Sequence, residues 1–173
     1  EKLLKEVVNL VEWPQLAIGS FDEKFLRAPK DVLISEMVQH QRYFPLLDQS
    51  GSLKNQFIIT ADNTPSELII KGNQKVLSAR LSDGLFLYDQ DRKVSLETHN
   101  EKLKTIVFQK NLGSMLDKVL RLEKHATLLA NTLKNVDAKK AAQAAHLCKA
   151  DLSTLLVGEF PELQGTIGRD YAL

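Results

Sequence analysis

Apolar residues return every three or four positions at the start of the chain, at Leu3, Leu4, Val7, Val8 and Val11, and this spacing predicts an amphipathic helix over residues 1–12. Trp13-Pro14 ends it, because proline has no N–H to donate and its ring clashes with the preceding turn. Residues 15–20 are short and apolar enough for a strand, and residues 21–29 read as a loop carrying Asp22 and Glu23. A second helix is expected over residues 30–40, with Val32, Leu33, Met37 and Ile34 on its buried side. The stretch RYFPLLDQSGSLKNQFIITAD has a strand-like run on each side of Asp48-Gln49-Ser50-Gly51, which predicts a β-hairpin. Asn63-Thr64-Pro65 breaks that pattern. Gly72-Asn73 then precedes a helical run through Val76, Leu77, Ala79, Arg80 and Leu81 that continues to about Asp91.

From Leu96 onward the pattern is helical, with no strand candidate stronger than residues 105–108. Leu112, Met115, Val119, Leu122, Ala126, Leu129 and Leu133 alternate steps of three and four, a heptad-like seam on one long helix. Asn135-Val136-Asp137 stops it, and an Ala-rich helix is expected over residues 138–160, ended by Pro161, which opens another helix. Asp151 and Glu159 border the apolar positions Leu152, Leu155, Leu156 and Phe160 in KADLSTLLVGEFPELQG. The fold class is α+β, a mixed region over residues 1–95 followed by an all-α region over residues 96–173.

A length of 173 residues allows one domain or two small ones. No apolar run approaches the roughly 20 residues that span a bilayer, and EKLLKEVVNLVEW is too charged for a secretory leader, so a cytoplasmic protein with no membrane partner is expected. The single Cys148 forms no internal disulfide and reads as a small buried hydrophobe within AAHLCKADL. The chain starts without Met and both ends lie in helical pattern, as expected of a piece of a longer polypeptide. Charge is unevenly placed. Residues 102–149 hold 10 Lys/Arg against 3 Asp/Glu, a net of +7, while residues 1–101 and 150–173 each carry −3. Such a block is the footprint of a polyanion-binding face, or of a helical surface of solvated lysines.

His40-Gln41-Arg42-Tyr43-Phe44-Pro45 gathers side chains able to bond phosphates or stack on bases, although one of Tyr43 and Phe44 must be core if the segment is a strand. Lys71, Lys75 and Arg80 surround Gly72-Asn73, where free N–H groups of a helix start favour an anion. Neither GxxxxGK[ST] nor GxGxxG occurs, and no GxSxG elbow is present. His40, His99, His125 and His146 show no HExxH spacing. His125 and His146 lie on consecutive predicted helices and with Asp151 could meet in a bundle interior, but a lone His on a helix is usually solvated or structural, and no metal site is expected.

Taken in order, EWPQLAIGSFDEKFL, HQRYFPLLDQSG, GNQKVLSARLSD, FQKNLGSMLDKVLR and KADLSTLLVGEFPELQGTIGRDYA resemble the β subunits of bacterial tetrameric (α2β2) glycyl-tRNA synthetases. The resemblance implies an internal part of a longer β chain, or of a fused α–β chain, working with an α subunit that holds the class II site for glycine, ATP and Mg. No cofactor is implied for this region. Its implied partners are tRNA(Gly), the α subunit and the remainder of the β subunit. Residues 1–95 would be similar to the B3/B4 domain of the phenylalanyl-tRNA synthetase β subunit, and residues 96–173 to a truncated HD-superfamily domain. The expected role is to bind tRNA and scaffold the α subunit without catalysis, with tRNA contact sought at His40, Gln41, Arg42, Lys71, Lys75, Arg80, Lys110, Lys118 and Arg121.

Two other roles compete with it, a purely structural packing domain and an HD-type metal-dependent phosphohydrolase. The hydrolase needs a His on its first helix, a His-Asp pair on a later one and a more distant Asp, which together hold metal ions that activate water. Laid on that pattern, Lys118 takes the place of the first His, and Ala150-Asp151 takes the place of the pair. A cation and a methyl group thus replace two imidazoles. Asp151 would be a remnant, and Glu159 would serve the turn before Pro161.

Overall fold

Strands Gln15–Ser20 (β1) and Phe44–Leu47 (β2) pair antiparallel with Leu53–Ala61 (β3) on either side, giving a three-stranded sheet in the order β1-β3-β2. The computed structural model describes residues 1–173, which divide into two units, Glu1–Leu87 and Tyr88–Leu173. The register sets Ala17 against Ile59 and Gly19 against Phe57 on one face of the sheet. This face is core. Phe57 is fully buried and stacks on Tyr43, with ring centroids 4.8 Å apart. The opposite face carries Leu16, Ile18, Ile58 and Phe44. Helix Lys2–Val8 (α1) borders it across an apolar groove of about 590 Å3, and Leu16 and Ile18 stay 67% and 60% exposed. This first helix stops short of the expected residue 12, because the Asn9 side chain donates to the Lys5 carbonyl at 2.9 Å and closes the last turn. The hairpin turn forms as predicted, with Asp48 Oδ1 accepting the N–H groups of Ser50 (2.8 Å) and Ser52 (2.9 Å). The expected loop over residues 21–29 contains a 3-10 turn, Glu23–Arg27, started by Asp22 accepting from the Lys24 N–H.

Helix Lys30–Ser35 (α2) continues into a wider π-type turn, Glu36–His40, and buries Val32, Leu33 and Met37 as their spacing predicts. Arg42 follows in the left-handed region (φ 56°). Helix Glu67–Asp91 (α3) begins upstream of Gly72-Asn73, which corrects the expectation of a helix start there. Inside a helix their N–H groups bond the preceding turn, so no anion cradle exists at that point. Asn73 instead donates to the Ile69 carbonyl at 2.8 Å and accepts from the Tyr43 hydroxyl at 2.5 Å. Gly84 lets α2 approach closely, since a Cβ there would lie 3.4 Å from Val32 Cγ1 and 3.1 Å from Glu36 Oε1.

The second unit takes the last turn of α3 and adds five helices: Leu96–Lys102 (α4), Met115–Thr132 (α5), Ala138–Leu147 (α6), Leu155–Glu159 (α7) and Thr166–Ala172 (α8). It is not wholly helical. Val107–Gln109 (β4) and Gly113–Ser114 (β5) pair as a small hairpin ahead of α5. Helices α5 and α6 pack together; of the expected seam Val119 is buried and Met115, Leu122 and Ala126 are half-buried, but Leu112, which precedes the helix, and Leu129 and Leu133 are exposed. The single helix expected over residues 138–160 is broken into α6, a 3-10 turn at Ala150–Ser153, and α7. Thr154 is extended, and its side chain accepts the Val157 N–H. Buried Asp91 accepts the N–H groups of Leu155 (2.8 Å) and Leu156 (2.9 Å), and with them the Tyr171 hydroxyl (3.1 Å). Donors claimed by this carboxylate are those a continuing helix would need, so the helix restarts at Leu155. Asp151 does the same for α8, its Oδ2 accepting from Gly165 (2.5 Å) and Gly168 (3.2 Å). Cys148 lies just past the end of α6 and is exposed, contrary to expectation.

Gly72 is exposed in mid-helix with open space at its Cβ position, so Gly72→Ala should stabilise the first unit by about 0.5–1 kcal/mol in urea titrations. Gly168→Ala should destabilise the second unit, because its Cβ would fall 2.9 Å from Asp151 Oδ2. Burial, and then the Asp91 carboxylate, raise the Tyr171 hydroxyl far above its ordinary value. The folded state then keeps a proton that the unfolded chain releases near pH 10, so stability is full below about pH 9 and falls as pH rises further. Urea midpoints measured at neutral and strongly alkaline pH should show that fall, and Tyr171→Phe should reduce it.

Candidate nucleic-acid interface

The +7 block of residues 102–149 folds into the end of α4, the β4–β5 hairpin, α5 and α6. Each of its three carboxylates is committed to local structure. Asp117 closes a capping box with Ser114 at the start of α5, accepting the Ser114 N–H at 2.7 Å, and this bond holds its carboxyl below the usual range. Asp137 accepts the N–H groups of Lys139 (2.9 Å) and Lys140 (3.1 Å) at the start of α6. Glu123 meets His146 Nδ1 at 2.8 Å, while His146 Nε2 lies 3.0 Å from the Asn100 amide. None of the block's ten Lys/Arg side chains has a carboxylate within ion-pair distance. Lys110, Arg121 and Lys124 are exposed, and the half-buried Lys118 holds its ammonium 4.6 Å from the Phe108 ring centroid. Lys118, Arg121 and Lys124 follow one another at i, i+3 and i+6 on α5, turned away from the seam with α6. Unpaired cations along one helix face can contact successive phosphates without reading sequence.

The other candidates sit differently. Arg42 is engaged by its own chain, donating to Glu6 Oε1 at 2.7 Å, to the Val38 carbonyl at 3.1 Å and to the Gln39 carbonyl, and so closes the end of the π-type turn. His40 beside it is exposed and Gln41 half-buried. Of the neighbouring aromatics, Tyr43 is core, and Phe44 lines the outer groove. Lys71 pairs with Glu67 at 3.3 Å within α3, and Lys75 and Arg80 are exposed farther along that helix. They do not gather at a helix start.

The trio His125, His146 and Asp151 does not assemble. His125 is exposed, His146 is bound to Glu123 and Asn100, and Asp151 serves the glycine N–H groups of α8. Residues the sequence pattern did not single out fill the polar interior instead. Ser153 donates to the His99 carbonyl at 2.7 Å, His99 Nε2 lies 3.2 Å from the Asp91 carbonyl, and Asn100 is buried. For His99 and Asn100 the sequence signal was polarity at inward positions of α4, on the helix that buries Leu96.

Similarity to known proteins covers the whole chain. The family model described as glycyl-tRNA synthetase beta subunit matches residues 1–173. The glycine–tRNA ligase beta subunit of Trichlorobacter lovleyi is 48% identical over 176 residues, covering 100% of this chain and 26% of its own length. That of Geobacter sulfurreducens is likewise 48% identical, with the same coverage. That of Neisseria meningitidis serogroup C is 49% identical over 175 residues, covering 99% of this chain and 25% of its own length. The chain therefore spans about a quarter of the length of the curated relatives it matches. With a family match that spans residues 1–173 and relatives 48% and 49% identical across the chain, the chain belongs to the glycyl-tRNA synthetase beta subunit family.

Proposed function

We propose that this region supports glycyl-tRNA aminoacylation by holding the tRNA(Gly) backbone on the basic face of its helical unit and by packing against the α subunit and the rest of the β chain. The carrying observation is the use of Asp117, Glu123 and Asp137 in caps and in a histidine pair, which leaves the surrounding cations without a salt bridge. Scaffolding is supported by the mainly apolar groove beside α1, lined by Leu16, with Ile18 exposed on the same sheet face. Glycine, ATP and Mg belong to the α subunit in this reading, and the region does no chemistry of its own. No helix is long and apolar enough to cross a membrane, which suits a cytoplasmic assembly.

The first unit is read as B3/B4-like and the helical unit as a degenerate HD-like domain. Supporting the degeneracy, the Lys118 ammonium rests on Phe108, Ala150 is buried, and Asp151 Oδ2 is taken up by two backbone N–H groups. This donor set lacks the imidazoles that a metal-dependent phosphohydrolase requires.

Filter-binding of tRNA(Gly) to the full-length β chain should weaken steeply with salt. Lys118→Glu with Arg121→Glu should lower affinity by about tenfold or more and flatten the salt slope by about 2. A salt-independent affinity would contradict the backbone-contact reading. Leu16→Asp with Ile18→Asp should weaken association with the α subunit in sedimentation experiments, and unchanged association would contradict the scaffolding reading at that groove.

A further inference from the structure

Helices α6 and α8 flank a groove of about 590 Å3, a volume typical of small-molecule sites. Helix α6 lines it with Lys140, Gln143 and Leu147, α8 with Arg169, and Leu96 from the first turn of α4 adds apolar wall. No carboxylate lines the groove. The side chains of Lys140 and Arg169 are exposed and have no ion-pair partner. Asp151, behind the lining glycines, is buried, with one oxygen covered by the N–H groups of Gly165 and Gly168.

Two free cations, an aliphatic wall and one side-chain amide select an anion that also carries a flat body with a hydrogen-bonding edge. Inorganic anions would leave the wall unused, and a fatty acid would leave the amide unused. We propose that this groove holds a single nucleotide unit, with its phosphate between Lys140 and Arg169, its base against Leu96 and Leu147, and Gln143 at the base edge. Lysine supplies a point charge, arginine a planar fork, and glutamine both a donor and an acceptor suited to a base edge. The unit comes either from a free mononucleotide or from one unpaired nucleotide of an RNA strand. The site is distinct from the α5 face and does not depend on backbone contact there.

Cys148, exposed at the groove edge, reports occupancy. Its alkylation by iodoacetamide in the full-length β chain can be followed by peptide mass mapping with AMP, adenosine, inorganic phosphate or a 5′-phosphorylated RNA trinucleotide. AMP or the trinucleotide should slow alkylation saturably, whereas adenosine and phosphate should need about tenfold higher concentration or more. Protection by AMP assigns a free nucleotide, and protection by the trinucleotide alone assigns an RNA strand. Lys140→Glu with Arg169→Glu, both at exposed positions, should raise the half-protecting concentration by about tenfold or more. Ala144→Trp, which fills the groove, should remove protection, while Lys118→Glu with Arg121→Glu should leave it unchanged. The proposal is overturned if neither nucleotide probe protects Cys148, if phosphate protects as well as AMP, or if the Lys140 and Arg169 substitutions change nothing.

Discussion

The carboxylate of Asp91, in the last turn of α3, accepts the N–H groups of Leu155 and Leu156 and the hydroxyl of Tyr171, making the end of one helix the cap of another that starts 64 residues later. A buried charge is tolerated only when its lone pairs are met, and here three donors meet them. The same contact forbids a continuous helix from Ala138 to Phe160, because the first N–H groups of α7 already have a partner. The chain turns after α6, Asp151 then starts α8, and the space between α6 and α8 becomes the cation-rimmed groove. One long-range capping contact therefore sets both the helical architecture and the cavity it encloses.

Positive charge in the block of residues 102–149 acquires meaning only through what the structure does with its acids. Had Asp117, Glu123 and Asp137 faced the lysines, the face would be a mesh of weak surface pairs. They cap α5, cap α6 and bind His146 instead. The field of the surrounding Lys and Arg side chains is left to solvent and to whatever polyanion approaches. The groove beside α1 has a different chemistry, mainly aliphatic with Glu12 as its one charged lining residue, and suits a protein surface.

Local chemistry was legible in the sequence wherever it decides the outcome. The bounds of β1 and the β2–β3 turn follow from apolar alternation, Pro14 and the Asp48 cluster, all of which act within a few residues. Charge counting located the basic block of residues 102–149, although the capping box of Ser114 and Asp117 that starts α5 was not read from the sequence. Gly72-Asn73 looked like a boundary because both residues are weak helix formers, yet packing of Leu77 and Leu81 and the Tyr43–Asn73 bond carry the helix through them. The break after α6 left no local trace, since every residue from Ala138 to Phe160 tolerates a helix and the interrupting carboxylate comes from α3. Exposure of Cys148 and the pairing of His146 with Glu123 are consequences of that break and of the α5–α6 packing, so neither could be read from spacing.

The claim that the α5 face holds the tRNA backbone is tested most directly by lysine acetylation of the assembled α and β chains, with and without tRNA(Gly), read by mass spectrometry. Protection of Lys110, Lys118 and Lys124 by tRNA, with Lys71 and Lys75 of α3 equally reactive in both states, is the predicted result. Unchanged reactivity at Lys110, Lys118 and Lys124 under saturating tRNA would contradict it.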